Sequence, residues 1–381
     1  MKTLSYTLCA ILAAGFAFTG DAQVKPKSKK ITELKFSGRI QGQWDGIGSD
    51  DKQEDDRNHF YFRRLFLGGH AKMGDNWGGD IVMDFAASTN TDDTVFIDGA
   101  SVWYKHSDAF RLDIGQLKVP FGVEETTSSS KLKAIERSAV NRQFAEALKF
   151  NARHTGLFAK GALTDGWNYN LAVVNSGQNH ASKDNDLKHP KKYDYDDNEL
   201  GYYGRLSYDN YDGELRYGFG AAAGNQALDE TPSTAGATAA KETTAYNIFG
   251  HLGFGSLNFE AEYMSGTVST VSDGDHDHKG YSFQASYALS NAPNGSWEFL
   301  YRYSTVESSK AQYVHAGEII RRSNLADTSM DELDQHYLGV NYLFNGHDAK
   351  LMVGYELNDL FEGGVKEDEA NGFRARVQFL F

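Results

Sequence analysis

The sequence predicts an all-β protein: a transmembrane antiparallel β-barrel of about sixteen strands, with an inward-folded loop that carries a short helix. Three observations predict it. Apolar and polar residues alternate strictly along strand-length segments, the connections between those segments run alternately short and long, and tryptophans stand just after short ones. Composition agrees. The 381 residues include 39 glycines, 24 phenylalanines and 21 tyrosines but only 5 prolines. Aromatic strands with glycine suit a wall that meets lipid outside and water inside. Beyond the first 22 residues no apolar run approaches the ~18 residues that a spanning helix needs. The net charge of −14 argues against nucleic acid as a partner.

Residues 1–22 read as a secretory signal peptide: Lys2, an apolar run from Leu8 to Phe18, then small Gly20 and Ala22 before Gln23. The lone cysteine, Cys9, falls inside it, so the mature chain would have no thiol or disulfide chemistry. Residues 23–31 form a basic tail and residues 32–381 a single barrel. The first strand sets Leu34, Phe36, Gly38, Ile40, Gly42 and Trp44 against Lys35, Ser37, Arg39, Gln41 and Gln43, one set to each face. The pattern recurs at 81–85, 200–208, 246–254, 257–263, 281–289, 297–303, 338–344 and 351–357. The last strand places Phe373, Ala375, Val377, Phe379 and Phe381 outward.

Short connections rich in Gly, Asn and Asp fall at 74–76, 107–108, 164–166, 209–213, 291–295 and 345–348, as hairpin turns require. Long ones lie between, at 46–57, 88–94, 120–152, 176–198, 224–242, 266–279, 306–332 and 359–371. Short periplasmic turns alternating with long external loops are the rhythm of an outer-membrane barrel. All five prolines lie outside the proposed strands. Trp77, Trp167 and Trp297 would form an aromatic girdle at the periplasmic interface, with Trp44 near the opposite rim.

By alternation the inward basic residues include Lys35, Arg39, Arg64, Lys72, Lys105, Arg111, Arg205, Arg216, Arg302, Lys350, Arg374 and Arg376. They outnumber the inward acids Asp80, Asp84, Asp113, Glu214, Glu260, Glu262, Glu298 and Glu356 in a chain that is acidic overall. Basic side chains along a confined aqueous path favour anions, because a low-dielectric wall lengthens the reach of each charge. Arginine also presents a planar fork that matches phosphate oxygens. Arg63 and Arg64 are adjacent, so strict alternation would send one to lipid at a cost of ~2–4 kcal/mol. Leu65 and Leu67 share the face of Arg63, which makes Arg64 the inward one unless a bulge turns both into the lumen. The longest connection, 120–152, contains a stretch of helix-forming composition from Lys131 to Phe150, with Leu132, Ile135, Ala139 and Phe144 near helical spacing. Such a loop can fold inward and narrow the pore. Arg137 is the leading candidate for the constriction.

Four stretches carry a family resemblance: Phe62-Arg63-Arg64-Leu65, Gly115-Gln116-Leu117-Lys118-Val119-Pro120-Phe121-Gly122, Thr127-Ser128-Ser129 and Ala134-Ile135-Glu136-Arg137-Ser138, with which the terminal Phe381 strand agrees. In these the chain resembles the phosphate-selective porin O and P family. The resemblance implies a homotrimeric sixteen-stranded barrel of the Gram-negative outer membrane, an internal loop in the lumen, and conduction of anions such as phosphate or polyphosphate. It also supports a pore role for both members of the Arg63–Arg64 pair, and offers Asp98, one position out of register, as an acidic partner. The expected constriction is Arg137 with Arg64, joined by Arg63 and Lys118.

The expected function is therefore passive diffusion of small anions through a water-filled barrel, with no covalent step, no enzyme activity and no cofactor. Its partners would be inorganic anions, outer-membrane lipid and two further copies of the chain. A general or weakly cation-preferring porin is the alternative motivated by the inward acids, and a plugged structural or adhesive barrel is a second. A barrel lipid hydrolase would need an oriented Ser–His pair, and nothing orients His154 toward the serines at 128–130. The tract Asp273-Gly274-Asp275-His276-Asp277-His278 reads as a solvated loop rather than a metal site.

Overall fold

Backbone amides inside a bilayer find no water, so strands that cross it must be paired along both margins. The chain meets this demand by closure. A computed structural model describes residues 30–49, 57–89, 95–176, 199–227, 240–270, 274–292, 295–311, 313–321, 325 and 330–381. The signal segment 1–22, residues 23–29 of the basic tail, Pro190, Pro232 and Pro293 lie outside the described residues.

The strands are β1 (Glu33–Ser49), β2 (Arg57–Met73), β3 (Trp77–Asp84), β4 (Phe96–Ser107), β5 (Phe110–Lys118), β6 (Arg153–Thr164), β7 (Trp167–Asn175) and β8 (Leu200–Asn210). They continue as β9 (Leu215–Ala227), β10 (Ala240–Phe254), β11 (Leu257–Thr270), β12 (Gly274–Ala292), β13 (Gly295–Ser308), β14 (Glu332–Asn345), β15 (Ala349–Glu362) and β16 (Val365–Leu380). Each pairs antiparallel with its sequence neighbours, and β1 pairs with β16 to close the barrel. At that seam Gly38 N donates to Phe381 O (2.6 Å) and Phe381 N to Gly38 O (3.1 Å). The Phe381 ring lies over Gly38, where a Cβ would come within 2.1 Å of a ring carbon.

Alternation sorts the two faces as the sequence predicts. Ile81, Val102, Leu171, Ile248, Phe254, Phe299, Leu338 and Val377 are among many outward apolar residues left exposed, the band that faces lipid. Trp77, Trp167 and Trp297 stand at or near the starts of β3, β7 and β13 and pack on Tyr104, Tyr208 and Tyr342, with ring centroids 4.9, 5.4 and 4.7 Å apart. The wall is uneven. β3, β5 and β7 have 8 or 9 residues, whereas β12 has 19.

Two expected loops are strand instead. Residues 266–270 and 274–279 are the upper parts of β11 and β12, and 359–371 belongs largely to β15 and β16, which meet at Gly363-Gly364 with φ of +58° and +79°. Polar side chains at both places suit strands that have risen out of the membrane, so hydropathy alone hides the pairing. The tract expected as a solvated loop is corrected in the same way. Gly274 to His278 opens β12, with His276 and His278 turned inward and buried.

The core lies inside the barrel. The segment from Val119 to Ala152 folds into the lumen and carries helices α1 (Val123–Thr126) and α2 (Ala139–Arg142), the latter running on as a wider turn over Gln143–Ala147. The helical stretch expected from Lys131 thus starts only at Ala139. Ser138 caps it, its Oγ accepting from Asn141 N, and the residues before it run through turns and bends tied to the wall, Ile135 N donating to Tyr337 Oη (3.3 Å). Val119, Phe121, Val140, Phe144 and Phe150 pack on Phe158, Val174, Tyr203 and Met264 of the wall. A second insertion had no counterpart in the sequence reading. Residues 313–321, with α3 (Ala316–Ile319), bury Val314, Ile319 and Ile320 against Ala139, Val306, Leu333 and Leu360. The apolar spacing of Val314, Ile319 and Ile320 inside an otherwise polar connection was the available signal.

Candidate functional site

The inserted segment divides the lumen into two unlike halves. Its hydrogen bonds and ion pairs run to β1, β2, β5, β8, β9 and β11 through β16, and among the described residues none reaches β3 or β4.

On the braced half two of the wall's arginines hold the loop: Arg376 pairs with Glu136 (2.8 Å), and Arg302 with Glu124 (3.0 Å) while also donating to Glu136 O (2.8 Å). Arg374 instead pairs with the wall's own Asp45 (2.9 Å) and Glu356 (3.0 Å) and donates to Arg321 O of the second insertion (3.0 Å). Lys350 donates to Leu132 O (2.7 Å). Alternation correctly turns these side chains inward. The expectation that Arg302, Arg374 and Arg376 line open water does not hold, because each is 1% exposed beneath the loop. Alternation fixes direction, not what fills the space ahead.

The other half lies along β1 to β6. Two bulges shape it. In β2, Gln41 pairs with Arg64 and Gly42 with Phe62, so Arg63 is the extra residue and both arginines turn inward. In β4, Val82 pairs with Gly99 and Met83 with Ile97, so Asp98 is extra. Asp98 pairs with Arg153 (2.5 Å), a cation at the first residue of β6 that alternation could not assign. Lys118 pairs with Glu125 Oε1 (2.8 Å), and Arg137 Nε lies 3.1 Å from Glu125 Oε2. Arg137 is thus tied into its own loop, also donating to Glu124 O (2.8 Å).

Charge is compensated unequally here. Arg63 is engaged by Glu136 (2.9 Å). Arg39 bonds only hydroxyls, Ser129 Oγ (2.6 Å) and Ser128 Oγ (3.2 Å), and lies over the Phe66 ring at 5.2 Å. Arg64 bonds only Gln41 Oε1 (2.9 Å). Neither is ion-paired to a carboxylate among the described residues. Five cations, Arg39, Arg64, Lys118, Arg137 and Arg153, therefore meet two acids, Glu125 and Asp98.

Two of the loop's carboxylates are held low by their partners. Burial pushes Glu136 up, but the guanidiniums of Arg63, Arg376 and Arg142 outweigh it and hold the group well below the usual carboxylate range. Burial likewise opposes Glu125, and Arg137 with Lys118 lowers it. The remaining expected residues lie near the periplasmic mouth, compensated locally. Lys35 pairs with Glu33 (2.9 Å), Lys105 with Asp108 (2.6 Å), and Arg111 with Asp113 (2.5 Å) while covering Trp103 at 4.4 Å.

Comparison with known proteins places this geometry. The family model described as "Phosphate-selective porin O and P" matches residues 34–381. Porin O of Pseudomonas aeruginosa is 24% identical over 442 residues, covering 100% of this chain and 98% of that one. Among solved structures, an anion-selective porin from Comamonas acidovorans superposes with a TM-score of 0.62 at 13% identity, over 92% of this chain and 99% of the other. The trimer form of OmpT from Vibrio cholerae gives 0.57 at 13%, over 91% and 99%.

Proposed function

The chain belongs to the phosphate-selective porin O and P family, a porin of the Gram-negative outer membrane, and on that footing we propose that its half-lumen along β1 to β6 passes phosphate-type anions by passive diffusion. The observation that carries this is the pair of guanidiniums that no carboxylate pairs among the described residues: Arg39, held by the hydroxyls of Ser128 and Ser129, and Arg64, 8% exposed and held by Gln41 Oε1. Guanidinium forks and hydroxyl donors are the complement of phosphate oxygens. Lys118, Arg137 and Arg153 add positive field around them while their carboxylate partners keep the total modest. An anion that sheds part of its hydration here meets donors strong enough to select it and few enough to release it. The path involves no covalent step.

Three copies would sit together through the low wall of β3 to β7, whose outward Ile81, Val102, Ile114, Leu157 and Leu171 are exposed. The trimeric form of the similar OmpT barrel supports that reading.

The test is the zero-current potential of the purified barrel in a planar bilayer under a potassium chloride gradient, repeated with phosphate. Anion preference with block of chloride current by phosphate is expected, and Arg64→Glu should remove the block. Cation preference in the native barrel would reduce the chain to a general porin, and no conductance at all would leave a plugged barrel.

A further inference from the structure

Glu136 is one carboxylate among three guanidiniums. Its Oε1 accepts from Arg63 Nε (2.9 Å), Arg376 Nη2 (2.8 Å) and Gln43 Nε2 (3.2 Å), and its Oε2 accepts from Arg63 Nη2 (3.2 Å) with Arg142 Nη1 at 3.5 Å. Two of those cations belong to the wall and one to the loop's own helix, so this side chain joins β2, β16 and α2 at one point. The three do not depend on it equally. Arg376 also donates to Gln43 Oε1, and Arg142 to the carbonyls of Glu318 and Ile319. Both described side-chain hydrogen bonds of Arg63 go to Glu136.

Arg63 reaches the lumen only because of the bulge in β2, and it stands next to Arg64. Without its carboxylate it would join Arg39 and Arg64 as a third uncompensated guanidinium on the passage. We propose that Glu136 sets how many positive charges the passage presents: it withholds Arg63 from the solute while pinning the loop across the lumen. It is a positioning residue, since it acts on the anion through Arg63. The proposal rests on reading the passage as an anion path. The three guanidiniums keep Glu136 ionised well below neutral pH, so the setting is fixed rather than tuned by ordinary changes in acidity.

The experiment compares chloride-to-potassium permeability ratios of native barrel, Glu136→Gln, Glu136→Asp and the double variant Glu136→Gln/Arg63→Gln. Glu136→Gln should raise the ratio about twofold, the combined effect on anion and cation of one unit charge ~8 Å away in a water-like dielectric once salt screening over about one Debye length is included. Glu136→Asp should stay near native, and the double variant should return there. An unchanged ratio in Glu136→Gln overturns the proposal. So does a raised ratio that persists in the double variant, because loop displacement would then be the cause. A second comparison needs no change at Glu136. If Arg63 is withheld, Arg63→Gln keeps phosphate block within about twofold of native while Arg64→Gln loses it, and equal loss in both overturns the proposal. A native barrel that prefers cations would defeat the anion reading by itself, whereas the shift between variants would still report on Glu136.

Discussion

Arg374 and Arg39 both point into the same lumen from paired strands at the seam, yet they do opposite work. Arg374 is 1% exposed and sits between Asp45 and Glu356; Arg39 touches two serine hydroxyls and an aromatic face with no carboxylate beside it. One is locked between carboxylates of its own wall and bonds Arg321 O of the second insertion, the other is a charge left for solute. The difference lies in the partners each one meets. Arg374 finds Asp45 and Glu356 on the strands beside it, as Arg302 and Arg376 find Glu124 and Glu136 on the loop, whereas over the lower part of β1 the loop brings only hydroxyls. Identical residue types thus divide between stability and selectivity according to the partner supplied from elsewhere in the chain.

The comparison breaks most visibly at Arg374. Arg374→Ala leaves Asp45 and Glu356 buried without their cation, a change of the kind that costs about 3–5 kcal/mol. The folded barrel should lose resistance to heat in detergent, measured as a lowered temperature at which the compact gel band disappears. If that temperature stays within a degree or two of native, the braced half is not braced by charge.

Arg39→Gln should do the reverse. No carboxylate is orphaned, so thermal resistance should hold, while the chloride-to-potassium permeability ratio falls by about twofold for the loss of one unit charge near the ion. A stability loss equal to that of Arg374→Ala would erase the distinction between the halves.

The smallest effect is that of pH. Glu136 and Glu125 have carboxyls held below their unfolded values, so the stability they contribute is complete above the ordinary carboxylate pKa and is lost only as pH falls through the depressed values. The difference in thermal resistance between native barrel and Glu136→Gln should therefore be constant from about pH 8 to 5 and shrink only below about 4. Measuring both proteins across that range checks it, and a difference that changes near pH 6 would contradict the assigned partners of Glu136.

Much of the architecture was legible because a barrel wall writes itself at period two. Leu34 through Trp44, Phe373 through Phe381 and the glycine-rich short turns specify faces and order without help from distant residues. Where the pattern stopped, so did the reading. Arg63 could be placed inward only through a bulge, a backbone irregularity that its sequence allows but does not demand. The burial of Arg302 and Arg376 depends on Glu124 and Glu136, which are remote in sequence and carried by a segment with no period of its own. Arg153 escaped notice at the boundary between loop and strand, and the inward fold of 313–321 was concealed by its polar flanks.

The seam between β1 and β16 also has a consequence in time. Every other pairing joins neighbours along the chain and can arise as a hairpin soon after both strands exist. This one alone waits for residues from opposite ends to find each other, the kind of distant pairing that slows folding. Until then the sheet is a ribbon with two adhesive margins, each a template for a foreign strand. The pairing of β1 with β16, against whose end the Phe381 ring lies on the bare backbone of Gly38, removes both margins together and leaves a wall with nothing left to pair.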